Sequence, residues 1–153
     1  MYNLILDFVE SKIEGFERPE IELIENEFSY GVESRKIYVP SEYIGSLEQR
    51  TWWKRFMMKY LMYEHGLMLS EKDDYTFSLL HELGHYITLE GIPANIIHQN
   101  YDTALRKIDQ NTTAYEYEMA YRQMPIEQMA DLWAIDFIET YPEVLELANQ
   151  MMM

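Results

Sequence analysis

Apolar residues recur at helical intervals through most of the chain and at strand intervals in one short region. Leu4, Ile5, Phe8, Val9, Ile13 and Phe16 follow the i, i+3, i+4 spacing of one buried helix face, with Gly15 near its end. They predict a helix over roughly Tyr2 to Glu14. Pro19 breaks that pattern, and Ile21 to Phe28 alternates with the period of a strand. Tyr30 and Gly31 offer a turn, and Arg35 to Val39 reads as a second strand stopped at Pro40, so a hairpin or the start of a small sheet is expected here. From Leu47 to Glu64 large side chains are dense. Trp52, Trp53, Phe56, Met57, Tyr60 and Leu61 share a helical face that Met58, Met62 and Tyr63 widen, Lys54, Arg55 and Lys59 mark the wet side, and Gly66 ends the run. This density predicts the central buried helix, with its methionines and aromatic rings as core.

Phe77 to Leu89 carries two adjacent stripes, Leu79, Leu80, Leu83 and Ile87 on one and Phe77, His81, His85 and Thr88 on the other, with Asp73 or Asp74 as its N-cap. After Gly91 and Pro93 the periodicity is weaker. A helix is expected over Asp102 to Ile108, and Thr113 with Glu116 forms a capping-box signal for another that runs to about Arg122. Pro125 suits the first turn of a helix through Glu139, and Pro142 begins a last one that frays into Met151 to Met153. The expected fold is a single domain over residues 1–153 of the α+β class, mainly helical, with a small sheet or hairpin before the Phe77 helix.

That helix also carries candidate chemistry, the motif His81-Glu82-x-x-His85. At about 3.6 residues per turn, positions i and i+4 share a face, so both imidazoles can reach one metal ion. Glu82 lies about 100° further round, placed to reach a water at the metal as a general base without being a ligand. Catalytic Zn²⁺ usually takes three protein ligands, so a third must come from elsewhere. The helix from Pro125 directs Ile126, Met129, Trp133 and Phe137 at a core, and on a neighbouring face it places Glu127 and Asp131 beside Ala130 and Ala134. Small residues there, opposite Gly84, would let two helices approach closely enough to share one metal. Glu127 is the best third ligand by this reading, and Asp131 fits as the group that holds the non-ligating nitrogen of a metal-bound histidine. His98 is the rival third ligand. Tyr121, Arg122 and Tyr86 are candidate donors to an oxyanion, and His98 is a candidate substrate contact. Against all of these stand two core histidines with backbone partners and a solvated acidic helix face.

Composition narrows the partners. The formal net charge of −15 argues against nucleic acid and against an anionic membrane surface. The chain has no cysteine, which leaves neither disulfides nor a thiolate zinc site. It also removes peptide deformylase, which has a similar His-Glu-x-x-His helix but uses a cysteine ligand. The N-terminus MYNLILDFVE lacks the basic start of a signal peptide, and no stretch approaches about 18 uncharged apolar residues, so a cytoplasmic location is expected.

The motif His81-Glu82-Leu83-Gly84-His85 followed by Glu127-x-x-Ala130-Asp131 resembles the gluzincin arrangement. Among small cytoplasmic proteins it is most similar to the ImmA/IrrE-type metallopeptidases, some of which are carried by phages and mobile elements. The resemblance covers mainly Phe77 to Glu90 and Arg122 to Glu139. It implies a zincin-like fold, Zn²⁺ held by His81, His85 and Glu127, Glu82 as general base, and Asp131 in support of a ligand histidine. Leu89 and Glu90 stand where the family often has a further histidine, and Asp131 where it often has asparagine. The three-histidine SprT-like arrangement would use His98 instead, but Gln99 follows it where a glycine is expected. The implied activity is endoproteolysis of a specific cytoplasmic protein, such as a regulator or repressor. Independently of the resemblance, an extended substrate is expected to add as a strand to an exposed sheet edge, here Arg35 to Val39. The alternatives are a module of this fold that sequesters a protein partner without cleaving it, and a structural zinc domain with a closed four-ligand site.

Overall fold

The computed structural model describes residues 1–25, 27–41, 51–108 and 112–151. Helix α1 (Tyr2–Lys12) precedes three short strands, β1 (Ile21–Ile24), β2 (Ser29–Tyr30) and β3 (Ile37–Pro40). Then come α2 (Thr51–His65), a single 3₁₀ turn (Glu71–Asp73), α3 (Asp74–Thr88), α4 (Ala94–Arg106), α5 (Ala114–Arg122), α6 (Pro125–Thr140) and α7 (Val144–Met151). The class is α+β and mainly helical, with the sheet ahead of the motif helix, as the hydrophobic pattern predicts. The expected start of α2 at Leu47, and Met152 and Met153 of the expected C-terminal fraying, lie outside the described residues.

The sheet differs from a simple hairpin. Its order is β1-β3-β2, with β1 parallel to β3 (Ile21 opposite Ile37) and β2 antiparallel to it (Tyr30 opposite Ile37). Of the described residues from Ile21 to Phe28 only Ile21–Ile24 form a strand, and Tyr30 pairs in a second one instead of turning. The reversal follows at Gly31, whose N–H and C=O bond Lys36 O at 2.9 Å and Arg35 N at 2.7 Å. Because β3 is paired on both sides at Ile37 and Tyr38, Arg35 to Val39 is not an exposed edge for a substrate strand.

The central helix is α3, not α2. Every residue from Tyr75 to His85 is buried, since α3 packs against α6, α7, β2 and β3 together. Large rings measure the area a helix can bury, but a helix enclosed on several sides needs aliphatic and small residues that permit close approach. Leu79, Leu80, Leu83 and Gly84 are of that kind. Helix α2 buries Phe56, Met57, Tyr60 and Leu61, yet Trp52, Met62 and Tyr63 are exposed. Lys54, expected on its wet side, is buried at 3% exposure with its Nζ 3.9 Å from Asp74 at the start of α3. One local device sets that start and another ends α2. Asp73 accepts hydrogen bonds from Ser70 N at 2.9 Å and Ser70 Oγ at 3.1 Å, which closes a capping box around the 3₁₀ turn. Gly66, at φ 68°, ends α2 in the left-handed conformation that L residues avoid.

Beyond α3 the pattern is met in part. The helix expected at Asp102 begins earlier, at Ala94, directly after Pro93; only Ile97 on it is fully buried, so its apolar stripe is too thin to show in the sequence. Thr113 caps α5 by accepting from Glu116 N at 3.1 Å, and Pro125 opens α6, both as expected. On α6 the buried stripe is Glu127, Ala130, Asp131, Ala134 and Ile138, while Met129, expected in the core, is exposed. A small second cluster of Leu89, Ile97 and Ile126, with Tyr30, Val32 and Tyr101 packed against it, fastens α4 over the first turn of α6. No described helix is long and apolar enough to cross a membrane.

Helices α3 and α6 meet backbone to backbone at Gly84 and Ala130. A Cβ on Gly84 would lie 2.7 Å from Ala130 O and 2.9 Å from Ala130 Cα, backbone atoms that cannot swing aside. Glycine to alanine within a helix ordinarily stabilises by about 1 kcal/mol. Here the sign should reverse: Gly84→Ala is expected to lower the unfolding free energy by about 1–3 kcal/mol in urea titrations, because the helices must separate. A gain in stability would show that α3 and α6 do not approach at this point.

Candidate metal centre

The α3–α6 contact brings the two carboxylates of α6 against the two histidines of α3. Oε2 of Glu127 is 2.9 Å from Nε2 of His81 and 3.1 Å from Nε2 of His85. One ligand atom from each of the three residues lies within 4.8 Å of the others, and all three residues are buried, Glu127 to 3% exposure. The group could therefore hold a metal ion. Two imidazole nitrogens and a carboxylate oxygen form the donor set that catalytic zinc takes in three-ligand sites, with the coordination completed by water.

Behind this group stands a second layer of charge. Oδ1 of Asp131 is 2.7 Å from Nδ1 of His81, which fixes the ring and leaves Nε2 turned toward Glu127. Arg122, at the end of α5, donates from Nη1 to both Asp131 oxygens at 3.1 and 3.3 Å, and its Nη2 is 3.7 Å from Glu127 Oε2. Arg122, a candidate oxyanion donor by its position in the sequence, instead directs its guanidinium at these two carboxylates. His85 is held differently. Its ring stacks on Tyr30 of β2 at 6.0 Å, and its Nδ1 is buried without a hydrogen-bond partner.

These contacts set the protonation states. Burial opposes a charge on His81, but its hydrogen bonds to Asp131 and Glu127 outweigh that and lift it to about 10. Burial would raise Glu127, yet the hydrogen bonds from His81 and His85 hold it far below the usual carboxylate range. Glu82 is raised by burial, a shift that the nearby histidines partly oppose. It faces the same space as His81 and Glu127, a cavity of about 300 Å³ lined also by Tyr121, Arg122 and Trp53 among others. Tyr121 is pushed up by burial, by the charge of Glu127 and by a hydrogen bond to it, so its phenol stays a donor.

The structure thus brings together His81, Glu82, His85, Glu127, Asp131, Tyr121 and Arg122, and it separates two other candidates. His98 lies on α4 with its side chain 51% exposed and its Nε2 2.6 Å from Glu33 Oε1, outside the metal group and the cavity. The three-histidine alternative fails because α4 is anchored through Ile97, which turns His98 to solvent. Tyr86 donates its hydroxyl to Glu17 O at 2.9 Å and carries the Arg35 guanidinium over its ring, so it is not a donor to the site. One residue was missed. Tyr101 of α4 donates its hydroxyl to Glu127 Oε1 at 3.1 Å. Among 13 tyrosines, on a helix without a strong apolar stripe, no signal in the sequence distinguished it.

The His81–Glu127 pair has a pH signature. In the metal-free protein the His81 contribution to stability is complete below its ordinary value of 6.5 and is lost as pH rises through about 10. The Glu127 contribution is present above its ordinary 4.5 and is lost as pH falls through its depressed folded value. Urea unfolding of metal-free protein should show this pair acting in full only between 4.5 and 6.5, with stability declining above that window. A metal must displace the His81 proton, so zinc affinity measured by chelator competition should rise about tenfold per pH unit just above neutrality. An affinity independent of pH would contradict the ion pair. Compared with family models, curated proteins and solved structures, the chain matches none.

Proposed function

We propose that the protein is a zinc-dependent endopeptidase of the gluzincin type that hydrolyses a peptide bond in a specific cytoplasmic protein. The observation that carries this reading is the convergence of His81, His85 and Glu127, with His81 and Glu127 in the wall of a cavity that Glu82 also lines. The ligand order, two histidines on one helix and a glutamate on a later one, supports a kinship with the ImmA/IrrE-type metallopeptidases. A structural zinc site would be closed by four protein ligands, whereas three donors beside an open cavity leave a position for substrate or water.

Zinc held by His81, His85 and Glu127 would supply Lewis-acid polarisation of the scissile carbonyl and would acidify water at the site. Glu82 takes the proton of the attacking water and passes it to the leaving amine. Its raised pKa suits it to do both, since a group poised nearer the working pH gives and accepts protons more evenly. Negative charge that develops on the carbonyl oxygen needs a donor inside the cavity, and Tyr121 supports that role because its phenol lines the cavity and stays protonated. Asp131 and Arg122 act through His81, which they orient. Phe28, Trp53 and Phe77 give the cavity an aromatic wall against which a side chain of a protein substrate would pack. The net charge of −15 supports a protein partner over nucleic acid or an anionic membrane.

Glu82→Gln tests the proposal, because it removes the base and keeps the size of the side chain. Zinc content and melting temperature should hardly change, while cleavage falls by about 10²-fold or more. Partners that co-purify with the Gln variant are then incubated with wild type, with and without a chelator. Cleavage by zinc-loaded wild type alone is the expected result. A partner that binds both forms equally and is never cut would instead assign the fold to sequestration.

A further inference from the structure

The two oxygens of Glu127 are used differently. Oε2 faces His81 Nε2 at 2.9 Å and His85 Nε2 at 3.1 Å, the side where the three donors converge. Oε1 accepts the Tyr101 hydroxyl at 3.1 Å. A carboxylate with both oxygens open can chelate a cation, a mode that suits larger ions with six or more oxygen ligands, whereas tetrahedral zinc takes one atom from each ligand. Tyr101 is not among the residues that line the cavity, so it meets Glu127 outside the space that a substrate would fill. Its position is built: Ile97, one turn earlier on α4, packs with Leu89 and with Ile126, the neighbour of Glu127, and Tyr101 lies against that cluster.

We propose that Tyr101 is a positioning residue that occupies the second oxygen of Glu127, restricts this ligand to one-oxygen coordination, and so biases the centre toward a small four-coordinate ion over larger oxygen-seeking cations. The inference rests on the metal reading of His81, His85 and Glu127, but not on peptidase activity. The hydroxyl is the only part of Tyr101 that the role requires, so Tyr101→Phe isolates it and keeps the ring in the cluster.

The experiment loads wild type and Tyr101→Phe with zinc, cobalt(II) and manganese(II) separately. Zinc affinity is read by chelator competition, cobalt coordination by the visible absorption bands, and manganese binding by electron paramagnetic resonance. In the variant, zinc affinity should fall about 10-fold or more. The cobalt bands should weaken as the coordination number rises, and the preference for zinc over manganese should narrow. A cobalt spectrum and an ion preference unchanged in Tyr101→Phe would overturn the proposal and leave the metal centre standing, even if folding stability fell. Failure of wild type to bind zinc or cobalt would overturn the metal centre itself, and this inference with it.

Discussion

The fold depends on the contact of two helix backbones at Gly84 and Ala130. A methyl group there would collide with main-chain atoms, so the approach exists only because one partner has no side chain and the other a single carbon. The functional residues take their places from this contact. His81 and His85 stand three before and one after Gly84, and Glu127 and Asp131 stand three before and one after Ala130. On a helix those offsets are neighbours that flank the contact point. The same spacing on both helices aligns two imidazoles with two carboxylates, at Nε2–Oε2 and Nδ1–Oδ1 distances of 2.9 and 2.7 Å for His81.

Burying that much charge is costly unless it is paired. Glu127 and Asp131 are 3% and 1% exposed, and Glu82 is buried beside them. Arg122 and the proton on His81 offset part of this negative charge; against the cost of burial, the hydrogen bonds to Asp131 and Glu127 lift His81 to about 10, and those from His81 and His85 hold Glu127 low. A divalent cation between His81, His85 and Glu127 would replace the proton and supply more positive charge where the carboxylates need it. The electrostatic demand of the core and the chemistry proposed for the cavity therefore point to the same occupant. Asp131 links them, since it is both the acceptor for His81 and the partner of a buried arginine.

Much of the site was legible because its signals are local. The i, i+4 spacings of His81 with His85 and of Glu127 with Asp131, and the small residues Gly84 and Ala130, each speak within one helix. The helix ends marked by Gly66, Thr113 and Pro125 were legible for the same reason. What was hidden is tertiary. The parallel pairing of β1 with β3, which removes the expected edge at Arg35 to Val39, depends on a crossover that no local pattern encodes. Lys54 was assigned to solvent by its charge and is buried by its ion pair with Asp74. Tyr101 and the burial of Arg122 likewise follow from how α4 and α5 dock on α6, and one tyrosine or arginine in sequence looks like any other.

X-ray absorption at the zinc edge of the loaded protein reads the atoms around the metal without reference to any substrate. The expected shell is two imidazole nitrogens and oxygen from one carboxylate, at about 2.0–2.2 Å, with the remaining position filled by exchangeable water and no sulfur. A shell with three imidazoles, a closed set of four protein ligands, or no ordered imidazole at all would contradict it.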